Sequence, residues 1–157
     1  MGMINYRKAT FSDLSGILSL YQIWAEEENQ VEVEISMSKY EAIWSNTFDK
    51  GIVYFVATDK EKIISTCYVS IIPNLTWGGR SIAFMENVFT DKCYRNQGIG
   101  KTIVQMGIDY AKQSGCYKLI LQSSASRKHA HRFYESLGFE SDSKVAFDLR
   151  FSDQEKI

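Results

Sequence analysis

The chain has 157 residues, 45% hydrophobic and 24% charged, with a single proline; that length fits one globular domain, and the composition excludes a largely disordered chain. Eighteen basic against nineteen acidic residues leave a net charge of −1, so no global field recruits nucleic acid or an anionic membrane and any anion site must be local. No apolar run approaches the roughly 20 residues of a spanning helix, and Met1 to Thr10 carries Arg7 and Lys8 without a signal-like apolar stretch; a soluble, cytoplasmic protein is expected.

Ile4 to Ala9 reads as a short strand, after which Ser12 or Asp13 can accept bonds from the free amides of a helix striped by Leu14, Ile17, Leu18, Tyr21 and Trp24. Glu26 to Glu34 holds five glutamates, a run that either draws a polycationic amine or forms a solvated face. Ser38 then caps a short helix through Trp44. After Gly51 the period changes: Ile52 to Thr58 and Lys62 to Ile72 are rich in β-branched and aromatic residues around an Asp59 to Glu61 turn, the pattern of an antiparallel hairpin. Pro73, Asn74 and Gly78-Gly79 break the chain before a third strand, Ser81 to Thr90. A polar loop, a helix from Gly98 to Ser114, a strand from Lys118 to Gln122, a helix around Ala130 to Leu137 stopped by Gly138, and a closing strand from Lys144 to Phe151 complete the order. Strands that first meander and are then interrupted by helices predict an α/β (α+β) fold with a mixed sheet and helices on its faces.

Cys67, Cys93 and Cys116 lie 26 and 23 residues apart, neither a disulfide framework nor a zinc signature, and the two histidines, His129 and His131, form no metal motif. Reduced thiols and no metal are expected.

The informative stretch is Arg95-Asn96-Gln97-Gly98-Ile99-Gly100-Lys101-Thr102, lying between an apolar strand and a helix striped by Ile99, Ile103, Met106 and Tyr110. Free amides at a helix start, about half a positive charge from the dipole, and glycines that admit a phosphate to the main chain suit such a loop to anions. Arg95 and Lys101 would add charge. On spacing alone the two glycines either cradle an anion or merely allow close packing of helix on strand. A P-loop is disfavoured because Arg95 occupies its first glycine, and the dinucleotide fingerprint fails at Ile103.

Arg95-x-x-Gly98-x-Gly100, preceded by Glu86-Asn87-Val88-Phe89-Thr90 and followed by Ala130-His131-Arg132-Phe133-Tyr134-Glu135-Ser136-Leu137-Gly138-Phe139, resembles the GNAT superfamily of acyl-CoA-dependent N-acetyltransferases over Ile4 to Leu149. Gly115-Cys116-Tyr117-Lys118 with Phe133-Tyr134-Glu135 adds a local similarity to glucosamine-6-phosphate N-acetyltransferases, although the carboxylate those enzymes carry beside the strand glutamate is Asn87 here. The resemblance implies a single N-acetyltransferase domain over 1–157. Its mostly antiparallel mixed sheet would have six to seven strands, splayed between the fourth and fifth. It implies acetyl-CoA as acyl donor, with its pyrophosphate on the amides of Gln97, Gly98, Gly100 and Lys101, its pantetheine arm on the backbone of Val88 and Thr90, and Asn96, Ile99 and Thr102 in the same loop. A backbone amide near Val88 or Phe89 would hold the oxyanion. Arg127 stands where many relatives carry asparagine, and could instead reach a CoA phosphate.

Direct transfer to an amine needs a base, because an alkylamine of pKa near 10 is mostly protonated at neutral pH. Glu86, in the run Ile82, Ala83, Phe84, Met85, is the candidate, since a carboxylate is costly to bury without a partner or a function; pairing with a cation or exposure at the strand edge is the other reading. Tyr134 matches the family tyrosine that protonates the departing thiolate, while helical spacing alone makes it part of a core stripe. The implied acceptor is a primary amine of a small molecule or peptide, with neither nucleic acid nor membrane as partner and a homodimer left open. The alternative is a catalytically inactive acyl-CoA-binding sensor or assembly module of the same fold.

Overall fold

Residues 3–30, 35–149 and 151 are described by the computed structural model, in two units that meet in sequence between Gln122 and Ser123. The first contains β1 (Ile4–Lys8), α1 (Leu14–Glu27), α2 (Met37–Thr47), β2 (Ile52–Asp59), β3 (Lys62–Ile72), β4 (Ile82–Thr90), α3 (Ile99–Gln113) and β5 (Lys118–Ile120); the second contains α4 (Lys128–Glu135). The strands lie side by side in sequence order, antiparallel except for the parallel β4–β5 pair.

Period-two alternation assigns the two faces of the sheet. Val56 of β2, Ile63 of β3 and Phe89 of β4 pack with Ile17 and Leu20 of α1 and Trp44 of α2. The opposite face presents Cys67, Val69 and Met85 to α3, where Gly107 allows close approach. A Cβ on Gly107 would stand 2.4 Å from the Met85 methyl and 3.0 Å from a Val69 methyl, a contact from which either the helix or the sheet would have to retreat.

The entry to α1 departs from the expected cap. Asp13 makes no side-chain bond to the helix amides; its carboxylate turns back to the Thr10 amide at 2.6 Å and takes the Arg7 guanidinium in a two-pronged pair at 2.6 and 2.9 Å. The Arg7 hydrogen bond is the chief cause of the fall of the Asp13 pKa to about 2. The N-cap position of the second helix is Ser36 rather than Ser38, and its side chain makes no bond to the helix amides; the hydroxyls of the two serines are hydrogen-bonded at 2.9 Å. Of the glutamate run, Glu32 and Glu34 lie outside the described residues.

The expected splay is present. β5 pairs only with Ile82, Ala83 and Phe84, so β4 continues from Met85 to Thr90 beyond the reach of its parallel neighbour. On the other side the register breaks: Phe89 faces Thr66 and Glu86 faces Tyr68, which sets both Asn87 and Val88 against Cys67. This is a β-bulge, and Asn87 there takes a left-handed backbone, at φ 53°.

The strand count is corrected from six to seven to five among the described residues. Residues 144–149 carry no strand and Arg150 of the expected closing segment lies outside the described residues. Val145, Phe147 and Leu149 alternate as expected but are 79%, 93% and 79% exposed. Alternation prepares one face of a strand for burial, and a ladder exists only where a partner edge supplies the bonds.

Candidate active site

β4 supplies the candidate base. Ala83 and Met85 point into the α3 face at 0% and 1% exposure, so Glu86 turns to the α1–α2 face, in register with Tyr68. An aromatic row runs from there: Tyr68 packs on Tyr54 at 5.2 Å between ring centroids, and Tyr54 on Trp44 at 4.9 Å. Burial raises the Glu86 pKa above the ordinary carboxylate range, and a hydrogen bond from the Asn87 backbone amide partly opposes the rise. Burial, followed by the charge of Glu86, raises Tyr68; burial, followed by Tyr68, pushes Tyr54 to about 12. A carboxylate raised by burial is a stronger base than a salt-bridged one, and none of the ion pairs among the described residues includes Glu86, which weighs against its ion-pair reading.

Next to Glu86, Asn87 lines a pocket of about 240 Å³ together with Tyr21, Trp24, Ala25 and Gln30. Trp24 stacks on Phe89 at 5.3 Å and 11°, closing one wall.

The glycine loop follows on the same unit. Asn96 and Gly98 both have positive φ, 61° and 78°, and Gly98 is the N-cap of α3. The Thr102 amide bonds the Gly98 carbonyl at 3.0 Å, so the amides of Ile99, Gly100 and Lys101 lie ahead of the first helical bond, where intrahelical partners are lacking. A Cβ on Gly98 would meet no atom within 4 Å. Close packing therefore does not account for Gly98, and the space above it is open to a ligand phosphate. Lys101 and Thr102 also line a pocket of about 330 Å³ along α3 with Gln105, Met106 and Asp109.

Arg95 is placed otherwise than the loop's charge suggested. Its guanidinium holds both carboxylate oxygens of Glu27 at 2.6 and 2.7 Å, its Nε donates to the Thr90 carbonyl at 2.9 Å, and it lies 5.4 Å from the Phe89 ring centre. It thus ties the end of α1 to the end of β4. The Thr90 carbonyl is thereby engaged by Arg95, while the Phe89 carbonyl, on the side of β4 that faces β3, accepts from the Ser65 hydroxyl at 3.0 Å; Val88 sits within the bulge.

Tyr134 belongs to the second unit, on α4, where its ring meets Phe133 at 5.1 Å and Phe139 at 5.9 Å, both edge-on. Arg127 is the N-cap residue of that helix. Gly138, at φ 90°, ends the turn after it as expected. The three cysteines are free thiols, and burial pushes Cys67 to about 12.

Residues 17–139 match the model of the acetyltransferase (GNAT) family. The chain belongs to that family, and so to the acyl-CoA-dependent acetyltransferases. It is 35% identical over 89 residues to a glucosamine 6-phosphate N-acetyltransferase of Trypanosoma brucei brucei, an alignment covering 56% of this chain and 58% of that one. To a thialysine N-epsilon-acetyltransferase of Bos taurus it is 27% identical over 145 residues, covering 88% and 85%. Among solved structures, a protein from Agrobacterium tumefaciens str. C58 put forward as an acetyltransferase superposes with a TM-score of 0.84 at 34% identity, covering 94% of this chain and 99% of that one. The mixed sheet flanked by helices is the GNAT fold.

Several residues around the site were not singled out as site residues from the sequence. Tyr21 read as part of a helix stripe, and Asn87 carried no local sign of a bulge. Glu27 lay in an acidic run with nothing to mark it as the partner of Arg95. Gly107 did leave a signal, an isolated glycine inside a helical pattern.

Proposed function

We propose that this GNAT acetyltransferase moves the acetyl group of acetyl-CoA to a primary amine of a small molecule or peptide by direct attack of the amine, with 1–157 serving as one catalytic domain. The observation that carries the reading is the position of Glu86: a carboxylate raised by burial, at a bulge, on a strand whose edge is left open from Met85 onward. When bound, the donor supplies an activated thioester. The amides at the start of α3 would hold its phosphates and the open β4 edge its extended arm. Glu86 takes the proton from the amine directly or through water, a backbone amide near Val88 or Phe89 steadies the oxyanion, and Tyr134 returns a proton to the departing sulfur. Phenol and thiol have ordinary pKa values of about 10 and 8.5, so this transfer is uphill by roughly 2 kcal/mol, small enough to be feasible within a catalytic barrier.

The test is calorimetric titration with acetyl-CoA followed by an assay of released thiol over a panel of amines. Thiol release with at least one amine is expected, and Gly98→Glu should remove acetyl-CoA binding because an anionic side chain would fill the open cradle. The variant adds strain of about 1–2 kcal/mol at a left-handed position, so melting is followed alongside. Binding without release for every amine would instead favour an acyl-CoA-binding module. Equal affinity of wild type and variant would sink the cradle.

A further inference from the structure

Between Asp91 and Ile99, which are 4% and 2% exposed, the chain from Lys92 to Gly98 buries no side chain, although it leads directly into the amides at the start of α3. Core packing therefore holds only the two ends of this loop. At the first end the hold is polar. Asp91 donates its amide to the Ile64 carbonyl at 2.9 Å and accepts the Tyr94 amide on its own carbonyl at 2.8 Å. Its carboxylate accepts the Cys93 amide at 3.0 Å on Oδ1 and the Lys62 ammonium at 2.7 Å on Oδ2. A second bond reaches the same hairpin: Asp59, the cross-strand neighbour of Lys62, accepts the Tyr94 hydroxyl at 3.1 Å. The Asp91 side chain is 5% exposed and that of Lys62 53%. Without Lys62 the carboxylate would stay buried and lose its cation, and an unpaired buried charge rearranges its surroundings or takes up a proton. Arg95, which clamps the loop to Glu27 further along, belongs to a pair partly exposed at both ends, so its loss strands no buried charge.

We propose that Lys62 is a positioning residue for acyl-CoA: through the buried Asp91 carboxylate, the β2–β3 hairpin sets the turn from which the phosphate cradle at Gly98 to Lys101 hangs. This rests on the cradle of the acetyltransferase reading above. The ammonium need not touch the donor. It fixes Oδ2, which leaves Oδ1 aimed at the Cys93 amide, and that bond shapes the single turn Lys92–Tyr94 just before Asn96 and Gly98 take their left-handed backbones. Amides hold an anion well when their directions are set before it arrives, and a loop with no buried side chain owes that order to its anchors.

The experiment uses the full chain as wild type, Lys62→Met, Lys62→Gln, Asp91→Asn and the Lys62→Met/Asp91→Asn double variant. Calorimetric affinity for acetyl-CoA is measured beside melting, and kcat/KM is compared for acetyl-CoA and S-acetylpantetheine, a donor without phosphates, with one amine. Lys62→Met is expected to weaken acetyl-CoA affinity by about tenfold, the equivalent of about 1.4 kcal/mol. Its kcat at saturating acetyl-CoA should hold, and its kcat/KM with S-acetylpantetheine should stay within about twofold of wild type. Lys62→Gln keeps a neutral donor and should fall between, which preserves the test if the methionine variant does not fold. The double variant should regain most of the affinity, because a carboxamide at position 91 still accepts the Cys93 amide and needs no ammonium. Affinity within about twofold of wild type in both Lys62 variants, or equal losses with the two donors, would make the pair a stability feature and overturn the inference. So would a double variant as weak as the product of the single effects. Wild type without measurable acetyl-CoA affinity would overturn the cradle itself, and the inference with it.

Discussion

From Ile82 to Phe84, β4 has β3 on one side and β5 on the other, and Ala83 is sealed beneath the helix that follows, with Met85 just beyond; from Glu86 to Thr90 it keeps only β3, breaks register at Asn87, and apart from the buried Phe89 presents half-buried side chains. The same strand is therefore scaffold for its first half and site for its second. The change falls where the pairing with β5 ends, because a bulge and an open edge free backbone groups and turn side chains that a complete ladder would hold. It also places the candidate base one residue beyond the deepest part of the core.

Neighbouring substitutions should separate the two halves most sharply. Met85→Ala removes a side chain at 1% exposure and is expected to cost about 2–5 kcal/mol of folding stability, read by denaturant unfolding, with turnover at a permissive temperature close to wild type. Glu86→Gln is expected to do the reverse, lowering kcat by about 10²-fold or more, some 2.7 kcal/mol on the barrier. Its melting should not fall. Burial raises the Glu86 pKa, so the folded state holds its proton to higher pH than the unfolded state does. Ionisation of Glu86 therefore subtracts stability as pH rises through that interval, and the neutral amide escapes the loss. Raising the pH supplies free amine and should partly rescue the variant. A lower melting temperature with undiminished turnover would make Glu86 a structural carboxylate and dissolve the contrast with Met85.

Tyr134→Phe tests the proposed return of a proton to the departing sulfur. The ring contacts with Phe133 and Phe139 are kept, so the effect expected is on turnover, of about 10²-fold, and larger than any change in acetyl-CoA affinity. Turnover within about twofold of wild type, roughly 0.4 kcal/mol, would return Tyr134 to the core stripe that its helical spacing suggests.

Legibility in the sequence follows the same division. The hairpin of β2 and β3, the helix after the glycine loop and the paired half of β4 were readable because each is set by local periodicity that one face must bury. The glycine loop was readable too, since Gly98 at φ 78° meets a backbone requirement that few residues satisfy. The bulge was not, because it arises from the mismatch of Asn87 and Val88 against Cys67 across the sheet, and no local pattern encodes a partner's register. The alternation from Val145 onward predicted a strand because periodicity records the readiness of a face for burial and is silent about which edge receives it.

The smallest effect concerns Arg95, whose two readings make opposite forecasts from the same pair of variants. As a phosphate ligand it would be needed for acetyl-CoA affinity whatever Glu27 does. As a clamp it spends its charge on Glu27 and Thr90, and the pair is partly exposed, at 39% and 29% of the side chains; such pairs contribute about 0.2–1 kcal/mol, with a two-pronged geometry toward the upper end. Arg95→Ala and Glu27→Gln should then each lower stability by less than about 1 kcal/mol and by similar amounts, with the double variant no worse than the sum, since both remove one interaction. Glu27→Gln also releases the guanidinium near the loop, so its acetyl-CoA affinity, measured at low salt, should hold or rise, whereas Arg95→Ala should change it little. A tenfold loss of affinity in Arg95→Ala beside an unchanged Glu27→Gln would show that the guanidinium leaves Glu27 for the phosphates on binding, and that the second half of β4 ends in a ligand contact rather than a clamp.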